Sequence, residues 1–342
     1  MSTTTSPASD TSTATGRPAR APARNRTALL AAAVGIPLLA AILLSAFAWP
    51  AANIAPRDLP IGVVGPPPAV AAVRAQLAEQ EGAFAVTSYA DVPAAEQAIA
   101  ERDIYGAIAL SPDGPVLLSS TAASPVVATL LADVARGIGA AQGVSPEVRD
   151  VVAADPDDPR GSGLAVTVLP MVILGGALGT ITALLTRDRL RRLGVLAAGA
   201  VTAGLSGVLL IQGGLAIIGG DWWLNTGVLA LTVAAIGATV AGLGCLLGPP
   251  GIALGALTMV LLGNPLSGST SAPELLPQPW GAVGQGMPPG AGATLLRGTA
   301  FFDGAGASRA LWTLCIWLVF GLVLVVLAPA RSGRGPDAAV PG

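Results

Sequence analysis

The sequence predicts a polytopic α-helical membrane protein of about six spans, with one extracytoplasmic α/β domain between the first and second spans. Hydrophobic residues make up 52% of the chain and charged residues only 11%, whereas soluble domains carry about a quarter charged residues. The apolar residues are concentrated in long runs, and about 100 residues with alternating strand and helix patterns separate the first run from the second. Membrane burial of much of the chain explains both observations.

The amino-terminal part combines a polar tail with the first apolar run. Residues 1–26 are rich in Ser, Thr, Ala and Pro and end in an arginine cluster, a composition that predicts a disordered cytoplasmic tail. Residues 27–50 contain an apolar run of about 22 residues, long enough to cross the hydrocarbon layer. Ala46-Phe47-Ala48 is similar to a signal-peptide cleavage site, but the run exceeds the apolar region of a signal peptide, so we expect an uncleaved anchor.

Residues 53–160 have the pattern of an α/β domain in which acidic residues outnumber arginines. Apolar runs bounded by Gly, Pro and Asp predict strands, and apolar stripes at helical spacing predict helices. The expected strands are residues 59–64, 84–89, 105–110 and 116–119, and the expected helices are residues 69–80, 93–102 and 125–141. The turn after Gly65 offers backbone N–H groups to an anion, but three prolines favour a plain strand-to-helix connection.

Five further apolar runs predict a five-span helical bundle over residues 163–330. They cover about residues 164–185, 193–218, 224–247, 252–266 and 310–328. The run at 252–266 is short and follows Pro249-Pro250-Gly251, so a tilted, broken or re-entrant segment is an alternative to a full span. The bundle includes an external loop, residues 267–308. In that loop, residues 291–302 are either an amphipathic helix in the membrane interface or an ordered loop that caps the bundle.

Arginine placement predicts the orientation, because basic residues near span ends stay in the cytoplasm. One cluster precedes the first span, a second lies between the second and third spans, and Arg331 and Arg334 follow the last. Six spans place all three clusters on one face of the plasma (inner) membrane. Both termini, including the tail at residues 331–342, are then cytoplasmic, and the α/β domain is outside.

The polar and small residues of the spans predict packing rather than chemistry. Gln212 and Asn264 interrupt apolar runs, and interhelical hydrogen bonding is the simpler interpretation of both. The pairs Gly175/Gly179, Gly244/Gly248 and Gly251/Gly255 have the fourfold spacing that lets helices approach closely. We interpret these pairs as contacts within the chain, with a dimer seam as the alternative.

Residue usage excludes several kinds of site. The chain contains no histidine, so neither a Ser-His-Asp triad nor an HExxH zinc site can be built. Its two cysteines, Cys245 and Cys315, lie in apolar runs and form no CxxC metal motif. No GxxxxGK[ST] phosphate loop is present, so any ATP hydrolysis needs another chain. We expect no enzyme activity, no cofactor, no catalytic or metal-binding residue and no nucleic-acid partner.

Four stretches together resemble a known arrangement. They are the basic tail with its span, LPIGVV at residues 59–64, RDIYGAIAL at residues 102–110, and MPPGAGATLLRGTAFFD at residues 287–303. These stretches are similar to actinobacterial membrane proteins akin to the phage infection protein (YhgE/Pip) family, within the wider group of type-2 ABC exporter permeases. The resemblance implies six spans, an outside domain after the first, and a homodimer or heterodimer beside a separate ABC ATPase.

The resulting functional expectation is a permease-like membrane subunit of an ABC-type export system. Its alternative is a non-transporting scaffold or envelope sensor whose outside domain binds a cell-envelope component. The cytoplasmic arginines Arg187, Arg189, Arg191 and Arg192 are the candidates for docking a partner or acidic membrane lipids, and a purely topogenic charge cluster explains them equally well.

Overall fold

The computed structural model describes residues 23–112, 114–158 and 161–329. Most of the predicted amino-terminal tail and all of the predicted carboxy-terminal tail lie outside the described residues. Helix α1 spans Ala23–Ala52 and therefore begins inside the predicted tail. Residues up to Ser45 form one unit and residues from Ala46 onward form a second. In the first unit the helix is apolar, and described side chains such as Val34 and Leu38 are exposed.

The predicted α/β domain is present, with one strand more than the sequence pattern indicated. Its elements are β1 (Leu59–Val64), α2 (Pro67–Ala78), β2 (Phe84–Tyr89), α3 (Val92–Ala100), β3 (Gly106–Ser111), β4 (Gly114–Ser119), α4 (Pro125–Gln142) and β5 (Glu147–Asp150). The sheet order is β2-β1-β3-β4-β5. Strand β1 is parallel to β2 and β3, whereas β4 is antiparallel to β3 and parallel to β5.

Local sequence explains where these elements begin and how they pack. The Asp91 carboxylate accepts a hydrogen bond from the Ala94 N–H and begins α3, and Ser124 begins α4 in the same way. Gly143 ends α4 with a left-handed φ of 72°. Helices α2 and α4 cover one face of the sheet, and α3 covers the other. The result is a three-layer domain with apolar cores on both sides of the sheet.

The remaining chain forms a helical bundle. Its elements are α5 (Ser162–Leu185), α6 (Arg189–Val208) with a π-helical end (Leu209–Gly214), α7 (Trp222–Leu247), α8 (Pro249–Leu257) with a π-helical end (Thr258–Gly263), a 3-10 turn (Pro273–Leu275), α9 (Trp280–Gln285), α10 (Pro288–Phe301) and α11 (Ser308–Leu327). Helix α7 is the most buried of the long helices and packs against α5, α6, α8, α10 and α11.

Among the described residues, five helices are long and apolar enough to cross a membrane: α1, α5, α6, α7 and α11. The chain is thus a polytopic helical membrane protein with five such helices. The expected fifth span is a shorter apolar helix, Pro249–Gly263. The interpretation of residues 252–266 as a broken segment is therefore the one the structure favours over a clean span.

Helix α10 completes the space that the short α8 leaves open beside α7. Along α7, α8 packs at the carboxyl end, where Gly255 meets Val240, and α10 packs at the amino end, where Thr299 meets Asn225. The two segments meet where Pro289 lies against Gly263. Helix α10 is buried along nearly its whole length. Of the two alternatives for residues 291–302, the structure has the helix and not the ordered loop, and this helix is buried against α7 rather than exposed as an amphipathic surface helix.

The glycine pair of α5, Gly175/Gly179, makes the predicted contacts within the chain. A Cβ atom at Gly175 would lie 2.7 Å from the Cβ of Ile236, and one at Gly179 would lie 2.5 Å from the carbonyl oxygen of Gly237. Both contacts are with α7. Close backbone approach of this kind supplies van der Waals contact between helices where lipid provides no hydrophobic driving force.

Candidate functional site

A polar cavity of about 320 Å³ lies where the α/β domain meets the bundle. We call residues 267–307, between the short apolar helix and α11, the junction segment, and this space the junction cavity. Its walls come from the α/β domain, the junction segment and the first turn of α11. The charged and hydroxyl side chains that line it are Arg102, Tyr105, Glu274, Thr294, Arg297 and Arg309. They come from these three parts of the chain.

The junction segment is fastened to the α/β domain by backbone hydrogen bonds. The N–H of Ala55 donates to the carbonyl of Leu275 at 3.1 Å, and the N–H of Arg57 donates to the carbonyl of Glu274 at 3.0 Å. The Arg57 guanidinium donates to the Leu275 carbonyl as well, at 2.8 Å. Leu275 is fully buried in the core formed by the sheet, α2 and α4. Because Leu275 is anchored in this core, the adjacent Glu274 is held at the cavity wall.

Tyr105 fixes the carboxylate of Glu274. Its hydroxyl donates to Glu274 Oε2 at 2.7 Å. Burial, together with the negative charge of Glu274, raises the pKa of Tyr105 well above its usual range. The phenol therefore stays protonated at any physiological pH and remains a donor to the carboxylate.

Arg102 crosses from the α/β domain to the junction segment. It follows α3 with a left-handed φ of 65°, a conformation that costs a non-glycine residue about 1 kcal/mol or more. Its Nη1 donates to the Thr294 carbonyl at 3.2 Å, and its guanidinium lies 5.3 Å from the centre of the Phe302 ring. Burial lowers the pKa of Arg102, although the nearby Tyr105 and Glu274 oppose this effect.

Arg297 is the most buried charge at the cavity. It lies on α10 and is 6% exposed. Its Nη2 donates to the Ser269 carbonyl at 3.0 Å. Burial and the neighbouring Arg102 charge lower the pKa of Arg297 to about 10. The guanidinium is therefore still charged at neutral pH, and keeping that charge inside the protein is unfavourable unless it finds further partners.

The charge balance of the cavity is positive. Three guanidinium groups line it, from Arg102, Arg297 and the exposed Arg309, against the single carboxylate of Glu274. None of the three arginines forms an ion pair with an acidic side chain within the part of the chain that the structure describes. A cavity of this composition attracts an anion.

The four arginines predicted as a docking site lie at the other end of the bundle. Arg187, Arg189 and Arg191 are exposed, whereas Arg192 is fully buried. The Arg192 Nη2 donates to the Pro329 carbonyl, after the end of α11, at 3.4 Å, and no described residue is a partner for its Nε and Nη1. Arg192 therefore helps to hold α6 beside the end of α11, and its side chain does not present a surface to a partner.

A second polar cluster connects α7 to its neighbours. The Asn225 amide donates to Gln212 Oε1 at 3.0 Å and to the Gly219 carbonyl at 2.8 Å, and it accepts from the Thr299 hydroxyl at 2.8 Å. These bonds confirm the interhelical hydrogen bonding predicted for Gln212. The side chain of Asn264 makes no such bond with any described residue, and its backbone carbonyl accepts a hydrogen bond from the Ser267 hydroxyl. The cluster is fully paired and thus structural.

Other candidate positions are less suited to binding. The turn after Gly65 borders a depression of about 380 Å³, lined mainly by apolar side chains. Pro66, Pro67 and Pro68 have no backbone N–H to offer an anion, which favours a plain strand-to-helix turn here. Among the described residues, no group of three or more Cys, Asp or Glu side chains is placed to hold a metal ion.

Sequence reasoning did not identify the junction cavity. Its side chains come from residues that are nearly 200 positions apart, and no spacing motif connects them. The available signal was indirect: the stretches RDIYGAIAL and MPPGAGATLLRGTAFFD, on which the family resemblance depended, contain Arg102, Tyr105 and Arg297. A second indication was Arg297 itself, the single charged residue among the glycines and alanines of residues 287–302.

Comparisons of the chain with known proteins identify no relative with a similar cavity. No family model, curated protein or solved structure matches the chain.

Proposed function

We propose that this chain is the permease-like membrane subunit of an ABC-type export system and that a separate chain hydrolyses ATP. The observation that carries the proposal is the attachment of the α/β domain to the bundle. The domain is bound to the junction segment by four hydrogen bonds from residues 55, 57 and 105, and Arg102 ties it to α10. A shift of α10 against α7 therefore moves the domain, and transmission across a membrane requires such a linked movement.

The proposal places the α/β domain and the junction cavity outside the cytoplasm. Helix α6 begins and α11 ends at the same end of the bundle, as the contact between Arg192 and Pro329 demonstrates. The arginine cluster beside α6 and the arginines that follow α11 in the sequence then share one face. By the positive-inside rule that face is cytoplasmic, and the cavity, at the opposite end, is outside.

The proposed docking surface for the ATPase is the connection between α5 and α6. That connection contains only Thr186, Arg187 and Asp188. Arg187 of the connection and Arg189 and Arg191 of the first turn of α6 are exposed, and Arg191 pairs with Asp188 at 3.1 Å. The surface is small, so it serves as a contact for an acidic patch of the partner rather than as a separate coupling helix.

Co-purification of an ATPase from native membranes in mild detergent tests the proposal. We expect an ATPase to accompany the wild-type chain. The variant Arg189→Ala/Arg191→Ala should retain less of it, because two charge contacts, worth about 0–1 kcal/mol each, are removed together. Arg187 and Arg192 remain to preserve orientation. The matched control, Arg136→Ala/Arg149→Ala, removes two exposed arginines of the α/β domain and should retain the ATPase fully.

The outcomes separate the candidate functions. Absence of any ATPase under conditions that keep other exporters intact would rule out the permease. Equal retention by both double variants would keep the permease and dismiss this docking surface.

A scaffold or envelope sensor is the second candidate, and the junction cavity is the observation that favours it. A sensor needs a ligand site between its outside domain and its membrane helices, and this cavity is located there. Its walls belong to both parts, so an occupant would change how they contact each other. This candidate predicts ligand binding by the purified chain without any ATPase.

A further inference from the structure

We propose that the junction cavity binds the phosphate ester group of a hydroxylated ligand. The proposal applies whether the chain works as a permease or as a sensor, because it depends only on the cavity. It begins with Arg297, a side chain that is 94% buried yet borders open space.

Arg297 has hydrogen-bonding capacity that no described residue uses. A guanidinium has five N–H donors in a rigid plane, and one described bond, to the Ser269 carbonyl, uses Nη2. Among the described residues, buried side-chain nitrogens without a partner belong to Arg192 alone. The other Arg297 nitrogens are therefore not sealed from open space. Arg297 lines the junction cavity and also a gap of about 10 Å³ beside Asp155 and Asp158, and of these two spaces only the junction cavity is large enough for a ligand.

Arg102 and Arg309 add two more positive charges to the cavity and so also favour the binding of an anion. Arg102 makes one described hydrogen bond, from Nη1, and its cation rests on the Phe302 ring. Arg309 makes no described side-chain hydrogen bond. Guanidinium groups bind phosphate in a bidentate manner, and three of them match the several oxygens of a phosphate better than the two oxygens of a carboxylate.

Glu274 indicates what is attached to the phosphate. One oxygen of its carboxylate accepts from Tyr105, and the other has no described partner. The exposed Gln278 also borders the cavity. A free carboxylate oxygen and an amide beside three cations suit a ligand that carries hydroxyl groups next to its anion. A volume of about 320 Å³ is at the lower end of the range for small-molecule sites, and it accommodates a group the size of glycerol phosphate.

The position of the cavity makes it accessible to two kinds of phosphate ester, a lipid headgroup and a soluble compound. Arg309 and Ala310, which line the cavity, belong to the first turn of the candidate span α11. Trp49 and Trp280 form an edge-to-face pair, 6.4 Å between ring centres, where the first candidate span ends. Tryptophan and arginine at span ends mark the level of lipid headgroups. The phosphate can therefore belong to a lipid or to a soluble compound.

The experiment uses the full chain, purified in neutral detergent and stripped of lipid. In one arm, sn-glycerol 3-phosphate is titrated by calorimetry. In the other, retention of phosphatidylglycerol and of phosphatidylcholine is compared by native mass spectrometry. Variants are Arg297→Gln and Arg309→Gln, and the control is Arg149→Gln, which removes an exposed arginine of β5 that contacts Glu96 and Glu147.

We expect wild-type binding in at least one arm, with phosphatidylglycerol preferred over phosphatidylcholine in the lipid arm. Loss of one charged hydrogen-bond donor should weaken the binding about tenfold or more in Arg297→Gln and Arg309→Gln. The control should bind as the wild type does. Binding in the lipid arm alone identifies a headgroup, and binding of the soluble probe identifies a free phosphate ester.

Three results would overturn the proposal: no binding in either arm, unchanged binding in both variants, or an equal loss in Arg149→Gln. Arg309 is exposed, so Arg309→Gln should fold even if Arg297→Gln does not. If Arg297→Gln does not fold, wild-type affinity of a folded Arg309→Gln chain takes the place of the second result and rejects the role of the cavity.

Discussion

Arg102 and Arg297 show how much of the junction cavity depends on long-range contacts. From the sequence, Arg102 is the last residue of a predicted helix, and Arg297 belongs to an apolar loop. In the folded chain Arg102 instead takes a left-handed φ and reaches the Thr294 carbonyl, 192 residues away. Local sequence patterns contain no information on such a contact. Composition could therefore exclude particular kinds of site, such as a Ser-His-Asp triad, but it could not locate the junction cavity.

The bond between Tyr105 and Glu274 gives a test at the same scale. Tyr105→Phe removes the hydroxyl that donates to the carboxylate, and it leaves that carboxylate partly buried with one hydrogen bond fewer. We expect a loss of about 1–2 kcal/mol in the free energy of unfolding. A heating series of the purified full chain, scored by the fraction that stays monodisperse in detergent, measures the change.

The only other tyrosine provides the matched control. Tyr89 makes no described hydrogen bond from its hydroxyl, so Tyr89→Phe should leave the heating curve close to that of the wild type. Equal curves for the two variants would mean that the bond at the cavity contributes nothing to stability.

At the scale of elements, the strands and helices of the α/β domain were largely predictable. Strand β2 has the predicted bounds, residues 84–89, and β1 likewise matches its apolar run. Strand β5 was missed because Glu147–Asp150 is short, polar and exposed, as an edge strand can be, so it has no apolar alternation to detect. Its place is set by pairing with β4.

For residues 291–302 the sequence left two alternatives, an interfacial helix or an ordered loop that caps the bundle, and the structure has a buried helix, α10. Its arginine and its mixed composition suggested an interfacial position, because a charge is costly inside a membrane protein. In the structure the helix is buried. The Arg297 guanidinium donates to the Ser269 carbonyl and borders the junction cavity, and glycines let α10 approach α7 closely. A Cβ at Gly292 would lie 2.6 Å from Thr232. Such compensation comes from partners that the helix sequence does not reveal.

The close approach of α5 and α7 yields a prediction at this scale. Gly179→Ala would place a methyl group 2.5 Å from the Gly237 carbonyl oxygen and 2.7 Å from the Val240 Cβ, so the two helices must separate. Overpacking of this kind costs about 1–3 kcal/mol. The same detergent heating series should show a clear loss of monodisperse protein at lower temperature.

Gly176, three residues earlier on α5, supplies the control. A Cβ there meets nothing within 4 Å, and alanine is the better helix former. Gly176→Ala should therefore be neutral or stabilising. A Gly179→Ala protein that is as stable as Gly176→Ala would contradict the packing of α5 on α7.

At the scale of the whole molecule, the α/β domain and the junction segment are interdependent. The sequence suggested a domain complete within residues 53–160, yet Ala272 and Leu275 of the junction segment are buried in its core. Two apolar residues in a long loop cannot be told from exposed hydrophobic residues until the surface they pack against is known. Composition and periodicity therefore could not predict that the junction segment is attached to the α/β domain.

The central claim is that the α/β domain and the junction segment share the outer side of the membrane, opposite the arginines beside α6. Its most direct measurement is labelling of single cysteines in intact cells with a membrane-impermeant maleimide, after Cys245 and Cys315 are replaced by alanine. The reporters are Glu147→Cys, Thr270→Cys and Arg189→Cys, all at exposed positions. The account predicts labelling of the first two in intact cells, and of the third only after permeabilisation. Labelling of Arg189→Cys in intact cells, with protection of Glu147→Cys, would contradict it.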